Sequence, residues 1–137
     1  MTRKQNGISW WMVALNGVIL AILAFKTWAC LADPSLLFGQ AVAYDPAHVG
    51  ALRELAGRNL AMIALGLLAW LRPSPAAYLS VFAVAFVRET SDMGIAAFGG
   101  GPPLQAASFL PFLLLYLLAI SRLVVFERSS HVDDGRP

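Results

Sequence analysis

Arg88-Glu89-Thr90-Ser91-Asp92 puts three formal charges within five residues of a stretch, Phe82 to Phe98, that is otherwise rich in apolar side chains. Arg88 and Asp92 are four apart and Glu89 and Asp92 three apart, so on a helix each pair shares one side. A second set, Glu54 and Arg58, is also four apart and lies in the preceding apolar segment, with Asn59 next to Arg58. An arginine fork can hold a carboxylate or phosphate through two parallel hydrogen bonds. A carboxyl in a water-poor setting can carry a proton or act as a general acid or base. The ligand-binding candidates are therefore Glu54, Arg58, Asn59, Arg88, Glu89 and Asp92.

No catalytic set emerges beside them. The chain has no Gly-x-Ser-x-Gly and no His-Glu-x-x-His, and Gly99-Gly100-Gly101 lacks the Gly-Lys-Ser/Thr that completes a phosphate loop. His48 reads as a solvated loop residue and His131 as part of a polar tail. The single cysteine, Cys30, cannot form an intrachain disulfide and reads as an inert buried thiol. These residues supply no metal-ligand cluster, and they name no cofactor.

The elements that hold the charges follow from composition. The chain has 137 residues, one domain's length, of which 58% are hydrophobic and 13% charged. A soluble domain carries about 25% charged residues. Mean hydropathy is +0.67. A domain this small has too much surface to hide so many apolar side chains from water, so the lipid bilayer is the expected surrounding. The net charge of +2 is spread without a basic run, which gives no footprint for nucleic acid. Arg3 and Lys4 precede an apolar run from Ile8 to Phe25. That run is longer than a usual signal-peptide core and lacks a small-x-small cleavage site, so it reads as a retained span.

Four spans of about 20 residues or more are expected, at residues 8–31, 46–71, 75–98 and 104–126. Asp33-Pro34 stops the first. Asp45-Pro46 and Ser74-Pro75 open the second and third as cap-proline pairs. Gly99 to Pro103 breaks the third from the fourth, with Pro111 expected as a mild kink one to two turns into the latter. The expected fold is an all-α integral membrane four-helix bundle occupying residues 1–128, with 129–137 as a disordered tail.

Positive residues outside the spans set the orientation. Arg3, Lys4, Arg72, Arg122 and Arg128 place both termini and the Arg72 turn in the cytoplasm. Trp10, Trp11, Trp70 and Tyr78 then fall at the cytoplasmic interface. Gly17 with Ala21, and Gly57 with Ala61, are small-xxx-small pairs of the kind that lets membrane helices approach. Asn16 is expected to make an isolated interhelical hydrogen bond.

Counted from the Arg72 turn at about 1.5 Å per residue, Arg88 lies roughly 18 Å and Asp92 roughly 24 Å into the layer. On the second span Arg58 lies at roughly 20 Å and Glu54 at roughly 26 Å. The two sets share the outer half of the membrane, and a hairpin folded at the turn brings Arg58 level with Glu89. Arg53 or Lys26 could complete the charge balance, and Asn59 could hydrogen-bond across helices. An uncompensated charge costs at least about 2.5 kcal/mol in lipid, so the charges are expected to face the bundle interior. They would there form either a structural ion-pair network or an outward-opening polar pocket.

The four-span layout, the second span "LRELAGRNLAMIALGLLAWLRP" and the acidic motif "FVRETSDMG" resemble the DoxX-like group of small membrane proteins over most of residues 8 to 126. That resemblance implies an uncharacterised protein or an accessory subunit near quinone-linked redox chemistry. It carries over no quinone or metal ligand onto a residue of this chain. Three functions fit the residues: an accessory or scaffold protein that packs against another membrane protein or itself; a lipid- or small-molecule-binding protein; or a small transporter or membrane enzyme that moves protons on Glu89 or Asp92.

Overall fold

The computed structural model describes residues 7–38, 46–98 and 107–133. Among them the chain is all helix, without a strand: α1 (Trp10–Ala32), a single turn α2 (Ser35–Phe38), α3 (Pro46–Leu71), α4 (Pro75–Phe98) and α5 (Leu110–Asp133). Three helical segments, Trp10–Ala32, His48–Leu71 and Leu110–Ser129, are long and apolar enough to cross a membrane. α4 is long enough, at 24 residues, but carries Arg88, Glu89 and Asp92 on top of its apolar first half.

Local chemistry explains the helix ends. α1 stops before Asp33-Pro34, and the Asp33 carboxylate then accepts hydrogen bonds from the Ser35 backbone N–H and hydroxyl. Those bonds nucleate α2, a turn not foreseen from the pattern. α3 and α4 both begin on proline, where the missing N–H costs no helical bond. Ser74 caps α4 as expected, its hydroxyl oxygen accepting from the Ala77 N–H at 3.1 Å. The Asp45 cap and the expected start of the fourth span at Leu104 lie outside the described residues.

Two expectations about α5 are corrected. Pro111 is the second residue of the helix rather than a kink within it, again at a position with no hydrogen bond to lose. The helix also runs on through Ser129 to Asp133, where a disordered tail was expected. No glycine or proline intervenes before Gly135, and the Ser129 hydroxyl donates to the Val125 carbonyl at 2.6 Å, so nothing ends the helix sooner.

By contact the chain divides into two compact units, Val13–Leu71 and Met1–Met12 with Arg72–Pro137. α3 groups with most of α1, and α4 groups with α5.

In the Val13–Leu71 unit the buried stripe of α1 is Leu20, Leu23, Thr27 and Cys30, beginning at Asn16. On α3 it is Leu52, Ala56, Asn59, Met62 and Ala69. Spacings of three and four keep each set on one helical face. Cys30, Leu52 and Ala56 pack together, with Leu37 of α2 and Leu55 against them. Asn16 Nδ2 donates to the Gly66 carbonyl at 3.0 Å, which is the interhelical bond expected of it. A Cβ at Gly66 would come within 2.8 Å of Leu20 Cδ2 and 2.9 Å of Asn16 Oδ1, so only glycine admits this approach. Gly17 likewise leaves room for the Trp70 ring.

The second unit is aromatic. α4 packs along α5, burying Tyr78, Val81, Phe82 and Ala85 on one and Leu113, Tyr116, Ala119 and Leu123 on the other. Tyr78, Phe82, Tyr116 and Phe112 form a chain of ring contacts with centroids 5.9 to 6.5 Å apart. Tyr78 is thus a core residue. Gly7 has φ of 66°, and the Phe126 ring occupies the place where its Cβ would stand.

Candidate functional site

The six candidate residues fall in different surroundings. Glu54 and Arg58 form an ion pair along α3, with Arg58 Nη2 2.7 Å from Glu54 Oε1 and side chains 66% and 68% exposed. The expectation that they turn inward is not met within this chain, and helical phase gives the reason. The buried stripe of α3 runs through positions 52, 56 and 59, and positions 54 and 58 fall on other sides of the same helix. Arg53 is exposed as well, and Lys26 is half-buried on α1.

Asn59 lies on the buried stripe itself and is fully enclosed. Neither its Oδ1 nor its Nδ2 has a hydrogen-bond partner among the described residues, so the expected cross-helix bond is not made. In the antiparallel pairing fixed by Asn16 with Gly66 and by Cys30 with Leu52, Asn59 comes level with Leu23, one turn from Thr27. The Thr27 hydroxyl donates back to the Leu23 carbonyl at 2.7 Å.

Arg88, Glu89 and Asp92 are placed differently. The buried stripe of α4 runs 78, 82, 85, and continuing it by four and three gives 89 and 92. All three charged residues are partly buried. Arg88 Nε stands 3.9 Å from Asp92 Oδ2, with side chains 16% and 37% exposed. Between them, the Thr90 and Ser91 hydroxyls donate to the Phe86 and Val87 carbonyls, at 2.8 and 2.9 Å. Those bonds use both hydroxyl protons, so the two hydroxyls can only accept from a ligand and not donate to it.

Tyr116 on α5, with 2% of its surface exposed, stacks on Phe82 and lies within coulombic range of Glu89 and Arg88. Its ring ends the aromatic seam on the side where α4 turns to one guanidinium and two carboxyls. Sequence reading passed over Tyr116 because an isolated tyrosine in "FLLLYLL" looks like one more apolar position.

A guanidinium has five N–H donors, and a contact of 3.9 Å with Asp92 satisfies at most one of them. The site can therefore take an anionic oxygen pair on Arg88, with the Asp92 carboxyl beside it. No group of three or more His, Cys, Asp or Glu side chains able to hold a metal ion occurs among the described residues. No family model, curated protein or solved structure matches this chain, and the resemblance to the DoxX-like group rests on its layout and motifs alone.

Proposed function

We propose that this is a multi-pass membrane protein with four spans and both termini cytoplasmic, acting as an accessory protein that binds a lipid headgroup or small anionic molecule at Arg88, Glu89 and Asp92. In this reading the site lies in the outer half of the membrane, and α4 crosses with its charges turned to α5 rather than to lipid. The observation that carries it is the burial of Arg88 beside a long contact to Asp92, in a seam that is otherwise aromatic. A half-buried arginine with spare donors fits a carboxylate or phosphate group better than it fits a purely structural ion pair. The DoxX-like layout is compatible with an accessory role of this kind.

The test uses purified protein in neutral phosphatidylcholine nanodiscs, with short-chain phosphatidylglycerol or inorganic phosphate added as probes. Thermal stabilisation by either probe in the wild type, lost in Arg88→Gln, supports the reading. Stabilisation by phosphatidylglycerol alone identifies a headgroup site, and stabilisation by both identifies a general oxyanion site. Equal stabilisation of wild type and Arg88→Gln, or none of the wild type, overturns it.

The two partly buried carboxyls three residues apart on α4 favour one second reading, a small transporter or enzyme in which Glu89 or Asp92 passes a proton. Proteoliposomes loaded with a pH dye test it. A proton leak or substrate-coupled flux abolished by Glu89→Gln supports that reading, and vesicles as tight as protein-free ones reject it.

A further inference from the structure

The exposed ion pair of α3 stands on a face with further shared features. Gly50, Glu54, Gly57 and Ala61 repeat at spacings of four, three and four, so they form one line along the helix, with Arg58 beside it. All five are exposed. A Cβ added at Gly50 or Gly57 would meet nothing within 4 Å. The line lies on one of the three segments apolar and long enough to cross a membrane, His48–Leu71. Lipid tails offer no hydrogen-bond partner to a carboxylate or a guanidinium, so charges on a spanning helix generally meet protein.

We propose that this face of α3 is the contact surface of a symmetric homodimer, with Gly57 at the crossing point. A second copy fits for a reason of charge and symmetry. Two copies in one membrane, related by a two-fold axis along its normal, place their α3 helices parallel, with equal residue numbers at equal depth. Arg58 already reaches one turn along its own helix to the level of Glu54. The same reach meets Glu54 of the second copy, and symmetry repeats the contact. The face is thus complementary to itself: each guanidinium spans two carboxylates, using the fork that suits arginine to such bridges. Glycine at 57 and alanine at 61 let the two backbones come close enough for that reach. The inference is independent of the α4 site, which lies in the other unit.

The experiment is disulfide trapping in native membranes with Cys30→Ser as background. Gly57→Cys should yield an oxidised dimer, while Leu114→Cys, exposed on α5, should not. Cross-linking at Gly57 no greater than at Leu114 overturns the proposal. Gly57→Leu should raise the dimer dissociation constant tenfold or more, about 1.4 kcal/mol, and leave the monomer folded, because a Cβ at this position meets nothing within 4 Å among the described residues.

A charge experiment separates a second copy from any other cover. Glu54→Arg and Arg58→Glu should each be monomeric alone, since each presents like charges to its own copy. Co-expressed, they should pair as a heterodimer. Dimers of either variant alone, or no heterodimer from well-folded variants, rule out the charge contact. If both charge variants fail to fold, the Gly57→Cys and Gly57→Leu results still decide the matter.

Discussion

The two helix pairs solve the same problem with different materials. Between α1 and α3 the seam is built from small residues and carboxamides: Ala56, Gly66 and Ala69 thin it, and Asn16 ties it to the Gly66 carbonyl. Between α4 and α5 it is built from rings, Tyr78, Phe82, Tyr116 and Phe112. In lipid there is little hydrophobic gain in bringing helices together, so association relies on van der Waals contact and hydrogen bonds. Close backbones and large interlocking rings are two ways to obtain that contact. The ion pairs differ in parallel. On α3 the order Glu54 then Arg58 is the favourable one for a helix, and the pair closes to 2.7 Å. On α4 the order is reversed, Arg88 then Asp92, and the pair stays open at 3.9 Å. The closed pair is exposed and the open pair is half-buried. That contrast places the candidate ligand site on α4 and the candidate docking face on α3.

Substitutions at the two seams and the two ion pairs test this contrast. Tyr116→Ala should have the largest effect, a loss of about 3–5 kcal/mol for a buried aromatic, read by denaturant-induced unfolding in mixed micelles. Tyr116→Phe should keep most of that stability, since the ring contacts remain. A Tyr116→Ala cost no greater than that of a surface change would remove the aromatic seam from the account. Next, Gly66→Leu should cost about 1–3 kcal/mol or more by overpacking against Leu20 and Asn16. Gly50→Ala, with open space around it, should be neutral or stabilising by up to about 1 kcal/mol. Equal effects at the two glycines would mean that the α1–α3 approach is not close.

The ion pairs come third. Asp92→Asn should cost about 1–3 kcal/mol, because it leaves a mostly buried guanidinium with less compensation. Glu54→Gln should cost under about 1 kcal/mol in the monomer, its partner being exposed. The reverse order, measured by the same unfolding assay, would contradict the assignment of the two pairs. Asn16→Leu, read by the same assay, should cost about 0.6–1.7 kcal/mol for one interhelical hydrogen bond between membrane helices.

Helix identities were legible because their signals are local. Proline starts α3 and α4, Ser74 caps α4, Asp33-Pro34 ends α1, and the apolar runs between them are too long for anything but helices. The bond from Asn16 was legible too, since a lone carboxamide in an apolar helix has few other ways to be satisfied. The site was legible in part. Depth counting along the chain placed Arg58 and Glu89 at one level, but level says nothing about direction around the helix axis. Arg58 lies off the stripe of Leu52, Ala56 and Asn59, while Glu89 and Asp92 continue the stripe of Tyr78, Phe82 and Ala85.

Residue types alone thus set the helical class, the helix ends, the apolar character that suits a bilayer, and the existence of two charged sets at i and i+4. Those properties depend on neighbours within a few positions, which the linear order already specifies. Which face of each helix becomes a seam, which helices pair, and that Tyr116 joins Arg88 and Glu89 depend on contacts between residues dozens of positions apart. Such contacts are chosen by the packing of whole surfaces against one another, and a charge pattern read along one helix does not contain them.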